Sequence, residues 1–184
     1  MDTVSDVLTE AVIPLSGPSA STEATFEALY RTTFPRVYAY VASLLRDRSA
    51  AEDVTAQAFE RAYRKRSGFR ASRGSPEAWI FGIARNAALD ELRRRGRSPL
   101  TEIEPADLEA VPADHHADAM LRRETVRAAL ATLDPGERDM LALKFAGGLS
   151  NAEIARVLRL SESNVGTRLH RTIERLRKAC NDLS

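Results

Sequence analysis

The sequence predicts an all-α protein: two small helical domains joined by a flexible acidic linker. Three observations carry this. Aromatics make up only 6% of the chain, while Ala, Leu, Arg and Glu abound, a balance that favours helix. Apolar residues recur at three- and four-residue spacing, with no strand-like alternation and no internal repeat. Charge falls in blocks. Residues 61–73, 93–97 and 156–178 are basic, whereas 98–118 holds Glu102, Glu104, Asp107, Glu109, Asp114 and Asp118 and no Lys or Arg. A formal net charge of +1 thus hides two basic modules around an acidic connector. With 184 residues, 43% of them hydrophobic and 29% charged, the chain can bury one medium core or two small ones, so packing is expected rather than disorder.

Each element has a local reason. Residues 1–21, with Gly17-Pro18 and small polar side chains, read as a flexible leader. From 22 to 46 the spacing of Phe26, Leu29, Tyr30, Val37, Val41 and Leu44 is helical, and Pro35 predicts a kink or two helices meeting there. Ser49-Ala-Ala-Glu52 matches a capping box and starts a helix of about four turns, ending near Gly68. On that helix Val54, Ala58, Phe59 and Ala62 share one face, and Asp53, Gln57, Glu60 and Arg64 share the opposite one. A loop spans 67–74. Ser75-Pro76-Glu77 then gives an N-cap with proline at the first helical position, and this helix runs to about Arg95. Its Ile80, Ile83, Ala84 and Ala87 face a core; Trp79, Gly82, Asn86, Asp90 and Arg93 fall on a neighbouring side.

Pro99, Pro105 and Pro112 disfavour a continuous helix through the connector, whose length exceeds an ordinary loop. The second module opens near Asp118 with a helix over 119–131. Asp134-Pro-Gly-Glu137 is a capping box that launches Pro135–Phe145, and Gly147-Gly148 stops it. Ser150-Asn-Ala-Glu153 caps a short helix ending near Leu158, and Ser161 caps a last helix reaching about Cys180.

Several function classes drop out. A single cysteine, Cys180, excludes a disulfide framework and any Cys-rich zinc site, and His115 and His116 lie solvated in the acidic stretch. No metal or cofactor is expected. No run of 18 apolar residues spans a membrane, and the N-terminus is acidic where a signal peptide is basic, so a cytoplasmic protein is expected. There is no nucleophile–base pair, P-loop or dinucleotide-binding glycine pattern, which argues against an enzyme.

The last helix points to DNA. Val165, Leu169, Ile173 and Leu176 form its apolar stripe, while Asn164, Thr167, Arg168, Arg171 and Arg175 lie within about 100° of arc on the other side. A capped eight-residue helix precedes it across a short turn, which is helix-turn-helix spacing. Arg168 and Arg171 have the reach for guanine or phosphate and Asn164 for adenine, while Arg175, Arg177 and Lys178 suit phosphates. Arg159 occupies the turn where glycine is common, and Gly166 sits inside the helix. In the first module Phe69, Arg70 and Arg73 precede Trp79 and the basic run 93–97. Arginines interleaved with aromatics are the ingredients for holding unstacked bases.

Three blocks carry a family resemblance: AEDVTAQAFERAY (51–63), RGSPEAWIFGIARNAALDELRRR (73–95) and LDPGERDMLALKFAGGLSNAEIARVL (133–158). In order and spacing, from about Thr22 to Ala179, the chain resembles bacterial RNA polymerase sigma factors of the extracytoplasmic-function group in the sigma-70 family. The resemblance implies sigma region 2 over 22–97 and region 4 over 119–184, with 98–118 as the connector threading polymerase channels. It implies that Asp53, Gln57, Glu60, Arg61 and Arg64 bind the clamp of core RNA polymerase. The loop from Phe69 to Ser75, including Arg70 and Arg73, would hold a flipped minus-10 base, with Trp79, Arg85, Asn86, Asp90 and Arg93 at the edge of the melted DNA. Ser163, Asn164, Thr167, Arg168, Arg171 and Arg175 would read the minus-35 element, and region 4 would bind the polymerase flap. An anti-sigma partner is a further expectation of the family. Ala56-Gln57 stands where the family commonly has Gln-Glu, and Asn164 and Gly166 where it often has Thr and a longer polar residue, so promoter preference does not transfer.

The rival reading is a stand-alone helix-turn-helix transcriptional regulator, with 22–97 as a dimerisation or sensor domain and a palindromic site. The long acidic connector argues against it.

Overall fold

The computed structural model describes residues 20–96 and 116–182, apart from the side chains of 20–24, 73, 116–123 and 182. Every regular element among them is helical. The first group comprises α1 (Ala20–Leu45), α2 (Arg48–Lys65) and α3 (Pro76–Arg94), with single 3-10 turns at Arg66–Gly68 and Ala71–Arg73 between the last two. The second comprises α4 (His116–Ala131), α5 (Pro135–Phe145), α6 (Asn151–Leu158) and α7 (Glu162–Asp182). Helix α1 begins at Ala20, two positions before the expected start at 22; residues 1–19, nearly all of the expected leader, lie outside the described residues. Helix α4 begins at His116, three positions before the expected start at 119; residues 98–115, the rest of the expected connector, lie outside the described residues.

Two local expectations are corrected. Of the two alternatives at Pro35, a kink or two helices meeting, the second does not hold, because α1 continues through it as one helix. Pro35 is exposed, and its ring removes one rung of the ladder on the solvent side. One turn earlier the Thr33 hydroxyl bonds the Leu29 carbonyl at 2.6 Å and the Thr32 hydroxyl that of Ala28 at 3.0 Å. The second correction is the cap of α2. Asp47, not Ser49, is the N-cap, accepting from the Ala50 N–H at 3.0 Å, and Glu52 is engaged by Arg48 at 3.1 Å instead of reaching back. A carboxylate caps well, and Arg95 pins this one at 2.9 Å, which a serine hydroxyl at 49 could not match.

The other caps agree with expectation. Ser75 caps α3 with Pro76 at its first position, and full capping boxes start α5 (Asp134, Glu137) and α6 (Ser150, Glu153). Ser161 Oγ accepts from the Asn164 N–H at 3.2 Å at the head of α7.

In the first group, Val37, Val41, Leu44 and Leu45 of α1 meet the small face of α2 (Ala51, Val54, Ala58, Ala62), with Ile80, Ala84 and Ala88 of α3 closing the core. The alanines let three helix axes approach closely. In the second, Met140, Leu143, Leu149, Ile154, Val165 and Leu169 are buried. The two sets form one continuous apolar cluster, because α3 packs on α6 and α1 on α5. Phe81 marks the junction. It is fully buried, with its ring centroid 5.7 Å from that of Tyr40, and Gly147 lies against it. A Cβ at Gly147 would stand 2.9 Å from the Phe81 ring and 2.6 Å from the Leu143 carbonyl oxygen, so only glycine permits this approach.

The end of α3 is tied back to the start of α2 through Glu91. Its carboxylate accepts from Arg94 at 2.7 and 2.8 Å and from Arg95, which also holds Asp47. Hydrogen bonds from Arg94 and then Arg95 lower its pKa from an ordinary 4.5 to about 2. The folded value is the depressed one, so this contribution to stability is complete above about pH 4.5 and is lost as pH falls toward 2. In a side-chain NMR titration Glu91 should stay ionised down to about pH 2; a midpoint at the ordinary value would mean the network is absent in solution.

The turn between α6 and α7 carries the residue that the sequence marks as awkward. Arg159 adopts φ 56° and ψ 45°, and the Leu160 and Arg159 N–H groups return to the Ala155 and Arg156 carbonyls at 2.9 and 3.4 Å. This is a Schellman turn with arginine at its left-handed position. An L-residue there costs about 1–2 kcal/mol, partly offset by glycine's greater entropy when unfolded. Arg159→Gly should therefore stabilise the protein by about 0.5 kcal/mol and raise the midpoint of thermal unfolding by roughly 1–2 °C; an unchanged or lower midpoint would show that the turn stores no strain.

Candidate nucleic-acid interface

The C-terminal site is built by α6, its turn and α7. On the inner side of α7, Val165 and Leu169 are buried, Ile173 and Leu176 half-buried, and Thr172 is buried as well. That leaves Ser163, Asn164, Thr167, Arg168 and Arg171 exposed together along the N-terminal half. The expected reading face is thus formed as periodicity implies. Arg175 is exposed too, but its guanidinium is turned back to Glu137 on α5 at 2.6 Å, where Thr172 also bonds at 3.3 Å. Gly166 is not forced by packing within the fold, since a Cβ there would meet only Asn151 at an ordinary 3.7 Å.

In the N-terminal group, Asp53, Gln57, Glu60, Arg61 and Arg64 all lie exposed on the outer side of α2, opposite Val54, Ala58 and Ala62. Glu60 and Arg64 form an ion pair one turn apart. Between the 3-10 turns, Phe69 is half-buried and Arg70 exposed, and the Phe69 ring centroid lies 5.3 Å from that of Trp79. Arg73 sits in the second turn. The loop closes at Gly74 (φ 140°), a conformation that disfavours a side chain. On α3, Asn86, Asp90 and Arg93 are exposed, with Asp90 and Arg93 bonded to each other at 2.7 Å.

Arg85 behaves differently. It does not face open solvent with its neighbours. Its Nε donates to Asp139 Oδ2 on α5 at 2.7 Å, and Tyr40 of α1 donates its hydroxyl to Asp139 Oδ1, also at 2.7 Å. The Asp139 side chain is 1% exposed and that of Arg85 24%. Burial works against the Arg85 charge, but Asp139, with a smaller contribution from Tyr40, outweighs it and raises the guanidinium further. Burial first, and then the Asp139 charge, pushes the Tyr40 hydroxyl well up.

Three further contacts surround this pair. Arg36 of α1 donates to the Gly147 and Gly148 carbonyls at 2.8 and 3.2 Å, capping the end of α5. Ser75 donates to Glu153 at 2.7 Å while still capping α3. The Arg156 side chain lies over Gly74, within 3.0 Å of where a Cβ would stand. Burial works against the Glu153 charge, but bonds from Ser150 and Ser75 prevail and lower its pKa.

Sequence reasoning missed Tyr40, Asp139, Arg36 and Phe81. One signal was available for Asp139: an acid one turn before buried Leu143, on the inner face of its helix. Nothing local distinguishes the others from ordinary core or surface positions. Among the described residues there is no cluster of metal-ligating side chains, and no helix is long and apolar enough to cross a membrane.

Comparison with known proteins agrees with this layout. Residues 29–98 match the family model "Sigma-70 region 2" and residues 123–176 match "Sigma-70, region 4". The ECF RNA polymerase sigma factor SigK of Mycobacterium bovis BCG is 30% identical over 166 residues, covering 88% of each chain. SigK of Mycolicibacterium vanbaalenii is 29% identical over 163 residues, covering 83% of this chain and 80% of its own. Among solved structures, RpoE of Bartonella quintana in complex with the anti-sigma factor NepR superposes with a TM-score of 0.62 at 22% identity, over 85% of this chain and 97% of that one. CnrH in complex with the cytosolic domain of CnrY gives 0.59 at 23%, over 88% and 91%. At those identities the two structures speak to the fold alone. With both sigma-70 regions matched in chain order and SigK alike over nearly its whole length, the chain belongs to the extracytoplasmic-function sigma factors, alternative subunits that direct RNA polymerase to specific promoters.

Proposed function

We propose that this sigma factor works through three surfaces. The outer side of α2 (Asp53, Gln57, Glu60, Arg61, Arg64) docks on the polymerase clamp. The loop with Phe69, Arg70 and Arg73, together with Trp79, Arg85, Asn86, Asp90 and Arg93, captures the melted minus-10 strand. The exposed half of α7 (Ser163, Asn164, Thr167, Arg168, Arg171), with Arg175 further along, reads the minus-35 element. Residues 22–97 form the first working unit and 119–184 the second, with 1–21 a leader and 98–118 the connector between them. The protein does no bond chemistry of its own and acts in the cytoplasm, where its polymerase is. An anti-sigma factor as regulatory partner is in keeping with the RpoE–NepR complex.

The observation that carries the reading is that polar sets predicted from periodicity on two different helices are both exposed, on opposite ends of one chain, with the rings of Phe69 and Trp79 in tilted contact beside one of them. Unstacking a base costs a few kcal/mol; an aromatic platform offsets about 1–3 kcal/mol per base. A net charge of only +1 suits a protein that binds DNA weakly by itself, since affinity follows the number of phosphates neutralised.

Run-off transcription with core polymerase and a promoter library, with and without this protein, tests the whole reading. Promoter-specific transcripts are expected; no activated promoter, and no polymerase co-purifying, would overturn it. Alanine at Arg168 or Arg171 should change minus-35 preference by about 1–3 kcal/mol at the affected base pair. A uniform loss across promoters would make them phosphate contacts. Trp79→Ala should impair strand opening more than closed-complex binding; wild-type permanganate reactivity at the minus-10 element would remove Trp79 from the melting machinery.

A further inference from the structure

The arginines on the reading side of α7 are not equally free. Arg168 and Arg171 are exposed, and among the described residues no acid bonds to either. Arg175 follows one turn later on the same side. It donates through Nη1 to Glu137 Oε1 on α5 at 2.6 Å. Two other donors hold that carboxylate: the Asp134 N–H at 3.1 Å and the hydroxyl of buried Thr172 at 3.3 Å. The Glu137 side chain is 16% exposed and that of Arg175 53%. The pair Arg177–Glu174, within α7, leaves its partners 70% and 53% exposed. Such an exposed pair gains little, because two long side chains must be ordered together. Glu137 is already ordered by the cap of α5 and by Thr172, so only Arg175 loses freedom when they meet.

We propose that Glu137 is a specificity-determining residue: it restrains Arg175 from the promoter backbone, so that hold on the minus-35 element depends on the side chains that read bases. The inference rests on the minus-35 reading of α7 given above and deepens it. A backbone phosphate competes with Glu137 for one guanidinium. While the pair stands its charges cancel, and affinity for DNA follows the number of phosphates neutralised. Phosphate contacts carry no sequence information. A released Arg175 would therefore tighten correct and incorrect minus-35 elements by the same factor. Promoters already near saturation gain nothing from such tightening, whereas poor ones gain in full, so discrimination in transcription falls.

Glu137→Gln keeps the length of the side chain and leaves the Asp134 carboxylate on the N–H of position 137. This variant, Arg175→Gln and the two combined, each as the full chain assembled with core polymerase, should be compared with wild type. Binding is measured on promoters that differ in the minus-35 element, between about 50 and 200 mM salt. Glu137→Gln should tighten every promoter by about tenfold at the low-salt end, as for a gained hydrogen bond to a charged group. Its salt slope should steepen by about 0.9. The transcription ratio between best and worst promoters should narrow. The combined variant carries the same net charge as wild type and should match it in affinity and slope. If the combined variant binds more weakly with a shallower slope, Arg175 already holds a phosphate in wild type, and the restraint is overturned. It is overturned equally if Glu137→Gln brings no gain, or the same gain when Arg175 is absent, since the effect is then only the loss of a negative charge. If circular dichroism shows Glu137→Gln to be unfolded, Glu137→Asp decides. It keeps the charge but shortens the reach to Arg175, and it should tighten binding in the same direction; unchanged binding would overturn the restraint. Wild-type holoenzyme whose binding ignores the minus-35 element would instead overturn the functional reading on which the restraint rests.

Discussion

A carboxylate at 1% exposure is costly to bury, and Asp139 is held there by two donors from the other half of the molecule. Tyr40 comes from α1 and Arg85 from α3, so one side chain fixes two helices of the first group against α5 of the second. The rest of the contact follows from it. With α5 seated on Tyr40 and Phe81, its end falls at Arg36, whose guanidinium takes the Gly147 and Gly148 carbonyls. Gly147 can come close enough only because it lacks a Cβ. The same placement brings α6 onto α3 and sets Glu153 beside Ser75.

Polar contacts of this kind specify an arrangement more than they strengthen it. Desolvating Asp139 and Arg85 consumes much of their mutual attraction, whereas removing either partner alone from such a pair costs about 3–5 kcal/mol. The apolar cluster beneath supplies the non-directional stabilisation; the Asp139 contacts select the register in which it is used. The outer side of α2 and the N-terminal half of α7 stand open, while Arg85 and Ser75 are turned inward toward Asp139 and Glu153.

Much of the site was legible because it depends on local rules. Helical periodicity separates Val54, Ala58 and Ala62 from Asp53, Gln57 and Glu60, and separates Val165 and Leu169 from Arg168 and Arg171. Caps at Ser75, Asp134 and Ser150 place four helix boundaries nearly to the residue when taken with Gly147-Gly148. Legibility failed where a distant partner decides. Ser49-Ala-Ala-Glu52 satisfies the capping-box pattern, yet Asp47 caps α2 because Arg95, 48 positions away, steadies it. Arg175 belongs by spacing with Arg168 and Arg171, but Glu137 draws its guanidinium back to α5.

By itself the sequence determined the helices, their inner and outer faces and the two separate basic surfaces, since each is set by residues within a few turns of one another. It also carried the family, through blocks whose order and spacing do not need coordinates to be seen. Only the tertiary structure decided that the two groups share one core and that Arg85 answers to Asp139. Those outcomes turn on which side chains meet across gaps of 54 and 99 positions, and no periodicity or cap encodes a contact between faces that each look complete alone.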